Sequence, residues 1–152
     1  MEIIKRENHI VDAAEKVQSQ VTSNPNSIAQ KAALAAISGP ETEVTYMVGE
    51  FKKRRDYIVR ELNALPGVTC LTPQGAFYVF PNVSTFFGKS FNGKKIKTSD
   101  DISQFLIHEA QVVVVPGVGF GAKENIRLSY ACSMGDLEKA IARMKVAFAK
   151  LK

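Results

Sequence analysis

The sequence contains few of the residues that form metal and redox sites. Its 152 residues include two cysteines, two histidines and no tryptophan. Cys70 and Cys132 lie in apolar surroundings, and neither His9 nor His108 has a second ligand at metal-site spacing. We therefore predict two reduced thiols in a cytoplasmic protein and no metal site.

Long apolar runs are also absent from the sequence. The longest, such as VVVV at 112–115, are far too short to span a bilayer, and no secretory signal pattern opens the chain. Hydrophobic residues make up 45% and charged residues 23% of the chain, as in soluble globular proteins. Length and composition predict one domain over residues 1–152 and no membrane partner.

Recognisable catalytic motifs are missing as well. The sequence has no G-x-S-x-G, no H-E-x-x-H, no phosphate-binding P-loop and no Cys/His pair with a plausible partner. GVGFGA at 117–122 resembles a dinucleotide-binding loop only in part, because its spacing is G-x-G-x-G and a strand is predicted after it. Residue patterns alone therefore assemble no catalytic set.

The net charge of +5 suggests a nucleic-acid partner, but its distribution argues against one. The densest basic cluster, FKKRRDYIVR at 51–60, falls on a predicted helix whose apolar residues recur at helical spacing. Its cations would then form the solvated face of that helix. GKSFNGKKIK at 88–97 is predicted to be a solvated loop. We favour these structural interpretations and expect no nucleic-acid partner.

Periodicity and turn residues predict helices alternating with short strands. The predicted helices cover 3–20, 25–38, 44–65, 98–110 and 135–151, and the predicted strands cover 68–71, 76–80, 112–115 and the run around Arg127. Ser23 or Asn24 is expected to cap the second helix, and Thr98 or Ser99 the fourth. This pattern predicts an α/β (α+β) two-layer domain, in which helices cover a small sheet.

One charged residue interrupts a predicted buried strand. In the run ENIRLSYACS, Arg127 stands between two aliphatic residues. A guanidinium keeps its charge and is costly to bury unpaired, so it must reach water or meet an anion. Residue type leaves two alternatives open. Arg127 pairs with an acidic neighbour such as Glu124 or Asp136, or it binds a carboxylate or phosphate ligand bidentately.

Four segments, taken in order, resemble one family. They are QSQVTSNPNSIAQKAALAAI, TPQGAFYVFPNV, VVVVPGVGFG and ENIRLSYACSMGDLEKAIARM. Together they resemble the C-terminal part of class I pyridoxal-phosphate aminotransferases, particularly the bacterial and plant aspartate aminotransferase branch. The resemblance covers about residues 9–152, and only the opening MEIIKRE has no clear counterpart.

The resemblance implies a fold and a role for Arg127. The fold is the small domain of fold-type I pyridoxal-phosphate transferases, which closes over the cofactor when substrate binds. Arg127 matches the arginine that binds the α-carboxylate of the amino-acid substrate, held bidentately by the planar fork. Phe77 of GAFY matches a residue near the mouth of the site, although a role as a core strand aromatic explains it equally well.

The segment TSNP at 22–25 matches a stretch that lies close to the partner subunit's site in a homodimer. Ser23 and Asn24 would then approach the neighbour's cofactor phosphate, whereas helix capping explains them without a ligand. One position departs from the family. Animal-type aspartate enzymes carry an arginine for the distal carboxylate where this chain has Ser19, so aspartate specificity does not follow from the resemblance.

The family's catalytic lysine is the largest departure. Its motif, S-K-x-x-x-x-x-G-x-R, occurs nowhere in the sequence, and Lys94 and Lys95 lie in a different context. The resemblance thus implies a chain without the large cofactor-binding domain, without catalytic residues and without covalently held pyridoxal phosphate. The parent enzyme would exchange an amino group between an aspartate-like amino acid and a 2-oxo acid. The alternative is a free-standing carboxylate-binding or oligomerisation module without catalysis.

Overall fold

The computed structural model describes residues 8–152. Their contacts cluster into two compact units, of which the first ends at Glu43 and the second covers Val44–Lys152. The assignment of residues 1–152 to one small domain stays a prediction. Positions 3–7 of the first predicted helix lie outside the described residues. In the part that is described, no helix is both long and apolar enough to cross a membrane.

The first unit consists of two helices, α1 (Asn8–Val21) and α2 (Ser27–Ser38). Apolar residues recur at helical spacing along α1, and α2 is rich in alanine, the best helix former. From residue 9 to residue 43, every residue is exposed except Gly39, which is half-buried. The described part of this unit therefore has no core of its own.

The N-cap of α2 differs from the predicted one. Asn26 caps the helix, and its Oδ1 accepts hydrogen bonds at 2.8 and 3.3 Å from the amides two and three residues further on. The prediction that Ser23 or Asn24 caps α2, with Pro25 at the first helical position, is therefore wrong. The cap must directly precede the first helical residue, which is Ser27.

Three helices line the second unit. They are α3 (Thr42–Asn63), whose residues from Val44 onward belong to this unit, α4 (Ser99–Ala110) and α5 (Met134–Phe148). Thr98 caps α4 in a capping box, in which its Oγ1 accepts from the Asp101 amide at 3.2 Å and the Asp101 carboxylate accepts from the Thr98 amide at 3.1 Å. Ser133 caps α5, and its Oγ accepts from the Asp136 amide at 3.1 Å.

Five short strands complete the second unit. They are β1 (Tyr78–Val79), β2 (Ser90–Phe91), β3 (Lys94–Lys95), β4 (Val115–Pro116) and β5 (Ile126–Ser129). β1, β5 and β4 form an antiparallel sheet in that order, with Val79 opposite Leu128 and Val115 opposite Arg127. β2 and β3 form a separate hairpin. The predicted small sheet covered by helices is present in this unit.

The prediction of a strand at 68–71 is wrong. Only Thr69 pairs there, in an isolated bridge with Asn82. The side chain of Asn63, at the end of α3, bonds both the amide and the carbonyl of Cys70 at 2.8 Å. Because a side chain satisfies these backbone groups, the segment needs no strand partner.

The loop predicted at 88–97 contains the β2–β3 hairpin. Its turn is Asn92-Gly93, with φ values of 49° and 78°, and Asn-Gly is the residue pair that two-residue hairpin turns prefer. Ile96 is 2% exposed and belongs to the core, so the segment is only partly solvated. The Ser90 amide and carbonyl both pair with Lys152 near the end of the chain.

One face of the three-stranded sheet packs on the helices. Its buried side chains join those of α3, α4 and α5 in a single core, whose most deeply buried members include Ile58, Leu62, Val79, Ile102, Leu106, Ile126 and Met144. Val112 and Val114 face this core, whereas Val113 is 80% exposed. The strand predicted over 112–115 is present only at Val115, in β4, and the run alternates between core and solvent because helices cover only one face of the sheet.

Candidate functional site

Arg127 lies on the open face of the three-stranded sheet. Its neighbours on β5, Ile126 and Leu128, are 0% and 6% exposed and point into the core. Successive side chains of a strand point to opposite faces, so Arg127 points away from the core. The residue is half-buried. The arginine within the apolar run of β5 therefore lies on the face of the sheet that points away from the core.

Two aromatic rings flank the guanidinium of Arg127. Its Cζ lies 4.5 Å from the ring centroid of Tyr78 and 4.5 Å from that of Phe120. Tyr78 comes from β1, where it stands opposite Ser129. Phe120 comes from a short 3-10 turn that precedes β5. Both contacts have cation–π geometry, which attracts the cation to the ring faces.

The two carboxylates considered as ion-pair partners of Arg127 have other contacts. Glu124 accepts a hydrogen bond from Asn82 Nδ2 at 3.2 Å, and Asp136 accepts one from Ser133 Oγ at 2.7 Å. The four ion pairs among residues 8–152 all involve other cations. Within the described chain, the alternative of an internal ion pair for Arg127 is therefore not realised.

The glycine-rich segment 117–122 forms the turn that carries Phe120. A Cβ at Gly117 would collide with the carbonyl oxygens of Ala122 and Asn125, so only glycine fits there. Gly121 ends the turn in the left-handed region at φ 75°. β5 follows the turn, as predicted, and no helix starts there to bind a dinucleotide phosphate.

Phe77 lies beside Tyr78 at the rim of a cleft in the second unit. It is 41% exposed, and its ring centroid lies 4.3 Å from that of Tyr78. The cleft measures about 460 Å³ and is lined mainly by apolar residues, which include Phe51 and Tyr130, together with the cationic Lys52 and Arg55. The Tyr130 hydroxyl donates to the Ala76 carbonyl at 2.9 Å, and burial raises the pKa of this tyrosine. Phe77 is therefore a rim residue and not a core aromatic.

The other predicted positions lie in the first unit. Ser23 and Asn24 are exposed, and Ser23 Oγ donates to the Ser19 carbonyl at 3.3 Å. Ser19 Oγ donates to the Lys16 carbonyl at 2.8 Å. The structure thus brings together Arg127, Tyr78 and Phe77 in one unit, and it describes Ser23 and Asn24 in the other.

No lysine of the described residues occupies a buried pocket. Lys94 and Lys95 are exposed on β3, and all other lysines from 8 to 152 are exposed except half-buried Lys89. A lysine that forms a Schiff base is usually activated by desolvation or by a neighbouring cation. Residues 8–152 likewise contain no cluster of three His, Cys, Asp or Glu side chains that could hold a metal ion.

The basic cluster of α3 is engaged by local partners. Arg54 lies over the Phe51 ring at 5.4 Å, and Arg60 lies over the Tyr57 ring at 5.3 Å. Arg55 pairs with the neighbouring carboxylate at 2.7 Å. Lys52, Lys53 and Arg60 are exposed, whereas Arg54 and Arg55 are half-buried, so the cluster is only partly the solvated helix face that was predicted.

Sequence reasoning identified Arg127 but not the two rings beside it. Tyr78 follows Phe77 in a predicted strand and therefore takes the face opposite buried Val79. That alternation could have placed Tyr78 on the open face of the sheet. Phe120 gave a weaker signal, a single large aromatic residue within a run of glycines. Neither pattern states which cation the ring contacts.

Comparison with known proteins identifies relatives along almost the whole chain. The model of the family "Aminotransferase class I and II" matches residues 3–144, so most of MEIIKRE, expected to lack a counterpart, falls within the match. An aspartate aminotransferase of Rhizobium meliloti is 41% identical over 143 residues, which are 93% of this chain and 35% of the relative. One from Geobacillus stearothermophilus is 45% identical over 135 residues, 89% of this chain and 33% of the relative.

Solved structures show the same relationship. The crystal structure of the Rhizobium meliloti aspartate aminotransferase superposes with a TM-score of 0.89 at 40% identity, covering 95% of this chain and 36% of that one. Aspartate aminotransferase from Thermus thermophilus with maleate gives a TM-score of 0.74 at 34% identity, covering 91% and 34%. The chain thus spans about a third of the length of these relatives. The predicted α/β small-domain fold is confirmed, and the chain belongs to the class I and II aminotransferase family.

Proposed function

We propose that this chain is the C-terminal part of an aspartate aminotransferase-like enzyme, in which Arg127 binds the α-carboxylate of the substrate. The observation that supports this most is the state of Arg127 in the fold. Its guanidinium lies on the open face of the sheet in contact with two rings, and none of the described carboxylates pairs with it. A cation in this state is suited to an anionic ligand.

The bound carboxylate would be held by two parallel hydrogen bonds from the planar fork of Arg127. This geometry fixes the orientation of the substrate as well as its position, so that the Cα–H bond points toward the reacting centre. The amino acid and the 2-oxo acid that replaces it both carry this carboxylate, and Arg127 would bind each in turn. Phe77, whose ring centroid lies 4.3 Å from that of Tyr78, is proposed as a weaker contact near the mouth of the site.

The whole protein would transfer an amino group between an aspartate-like amino acid and a 2-oxo acid. Aspartate aminotransferases use pyridoxal phosphate, which acts as an electron sink for the substrate carbanion. The described residues do not fit a covalent site for this cofactor, because their lysines are exposed or half-buried and the sequence lacks the lysine motif. We therefore propose that this chain alone is inactive and that the large domain supplies the cofactor site.

The parent enzyme is proposed to be a cytoplasmic homodimer. Ser23 and Asn24 would approach the cofactor phosphate of the partner subunit, and their full exposure is compatible with that contact. The exposed apolar side chains of α1 and α2 also support a partner. Ile28, Leu34 and Ile37 are 78%, 57% and 85% exposed, and exposed apolar surface of this kind marks interaction sites. For the same reason, an oligomerisation module without catalysis is the second candidate.

Titration of the 152-residue chain with maleate, followed by NMR, tests the proposed function. We expect maleate to shift the Nε–Hε resonance of Arg127, and Arg127→Ala to abolish binding. Arg127→Lys should weaken binding by about tenfold, because an ammonium cannot form the bidentate pair. Added pyridoxal phosphate, aspartate and 2-oxoglutarate should yield no oxaloacetate.

Two controls separate this function from general ionic attraction. Arg143→Ala removes an exposed cation from α5 and should leave maleate affinity unchanged. Methylammonium, which lacks a carboxylate, should not shift the Arg127 resonance. Equal maleate affinity of the Arg127→Ala variant and the wild-type chain would overturn the proposal, and measurable oxaloacetate would refute the inactivity of the chain.

A further inference from the structure

Tyr78 and Phe120 both contact the guanidinium of Arg127, although no sequence motif assigned a role to either residue. Each places its ring centroid 4.5 Å from the guanidinium carbon of Arg127. We infer that they are positioning residues, which hold the plane of the Arg127 fork for in-plane recognition of a carboxylate. This inference rests on the proposed function, since it concerns the same arginine.

The geometry of a guanidinium explains why its faces and edges have different roles. All five N–H donors lie in the plane and point outward from the edges, whereas the two faces donate nothing and stack on aromatic rings. Rings that occupy the faces leave the donor edges available to a ligand. They also restrict a flexible side chain before the ligand arrives, which lowers the ordering cost of binding.

The sheet holds Tyr78 in this position. Tyr78 stands opposite Ser129 across the β1–β5 pair, and Ser129 lies two residues from Arg127 on the same face of the strand. Diagonal neighbours of this kind lie within reach of long and aromatic side chains. The ring of Phe77, the preceding residue, packs against Tyr78 with 4.3 Å between the ring centroids.

The glycine-rich turn holds Phe120 in this position. Gly117 is packed too closely for a side chain, and its amide donates to the Asn125 carbonyl at 2.8 Å. The Phe80 ring meets Phe120 edge-on, with 6.1 Å between centroids. Phe120 is nevertheless 51% exposed, so burial in the core does not explain a phenylalanine here. Contact with Arg127 explains the phenylalanine. The role of the glycine-rich turn is then to position Phe120 and not to bind a dinucleotide phosphate.

Replacement of Phe120 in the 152-residue chain tests this inference with the same NMR titration. Phe120→Leu should raise the Kd for maleate on the order of three- to fivefold, because the fork loses one of its two supports. It should also move the Arg127 Nε–Hε resonance of the free chain, since a ring current disappears. Phe120→Tyr keeps an aromatic face and should restore both values.

The control is Val118→Ala, which changes another exposed side chain of the same turn and should leave the resonance and the Kd unchanged. Thermal midpoints show whether each variant is folded, and Phe120→Met replaces Phe120→Leu if the latter is not. Unchanged maleate affinity in the folded variant, leucine or methionine, would overturn the inference and leave the proposed function intact. Failure of maleate to bind the wild-type chain would instead refute the proposed function, and the inference with it.

Discussion

Arg127 remains accessible because the residues on either side of it take the buried positions. Ile126 and Leu128 anchor β5 in the core at 0% and 6% exposure, and the strand period then turns the guanidinium outward. The charge meets rings instead of carboxylates in the described chain. A ring attracts a cation without neutralising it, so the electrostatic attraction for an anion is retained.

The backbone stores strain at Ala76, two residues before Tyr78. This residue has φ 59°, in the left-handed region, and its carbonyl accepts the hydrogen bond of the Tyr130 hydroxyl. The left-handed conformation costs an L-residue about 1–2 kcal/mol. Glycine removes this strain, but its larger loss of conformational entropy on folding lowers stability by about 0.5–1 kcal/mol. We therefore expect Ala76→Gly to raise the free energy of unfolding by about 0.5 kcal/mol, measured by urea denaturation.

The matched control for this substitution is Ala131→Gly. Ala131 is exposed, lies outside the helices and strands, and has no positive φ. Glycine there should be neutral or destabilising, because it adds chain entropy without relieving strain. Equal destabilisation by both substitutions would show that Ala76 is not strained.

The elements follow from the sequence where local signals act alone. Capping residues and apolar spacing predicted α4 closely, apolar spacing alone predicted α5, and a short apolar run predicted β5. The prediction of a strand at 68–71 was wrong because the side chain of Asn63, at the end of α3, satisfies the backbone of Cys70, a side-chain contact that apolar spacing does not predict. The β2–β3 hairpin had a local signal, Asn92-Gly93, which the basic charge of the surrounding loop obscured. Contacts of Arg127 with Tyr78 and Phe120 depend on strand register and turn geometry, which apolar patterning does not specify.

The capping box of α4 makes the stability of this element depend on pH. The Lys97 amide, at 2.9 Å, holds the pKa of Asp101 below its usual value, with further help from Thr98 and partial opposition from burial. Since the folded pKa lies below the unfolded value of about 3.9, the stabilisation is complete above that pH and is lost as pH falls through the folded pKa. We expect acid to lower the thermal midpoint less steeply in Asp101→Asn than in the wild type, below about pH 4.

Asp100→Asn is the control for this prediction, because Asp100 occupies the same first turn but is exposed and makes no capping-box contact. Its midpoint should fall with acid as steeply as that of the wild type. An identical acid dependence of Asp101→Asn and the wild type would mean that other carboxylates cause the loss of stability.

At the scale of the whole molecule, the two units differ in how their side chains are buried. The second unit contains a core that joins three helices to the sheet, whereas residues 9–43 bury no side chain. The order of the elements was predictable from sequence, but this difference was not. Apolar spacing along α1 and α2 predicts a buried face, whereas the apolar side chains of these helices, such as Ile28 and Ile37, are exposed.

Limited proteolysis should separate the two units, because local stability follows buried apolar contacts. At low protein concentration, we expect trypsin to cut at Lys16 and Lys31 before it cuts at Lys139 and Lys145 on α5, and mass spectrometry should then detect a resistant fragment covering the second unit. All four lysines are exposed, so the difference measures the stability of the backbone and not access to the side chain.

If a partner chain covers α1 and α2, higher protein concentration will slow cleavage at Lys16 without affecting Lys139. Equal resistance of Lys16 and Lys139 at low concentration would contradict this prediction, since helices without a core of their own would then be stable without a partner.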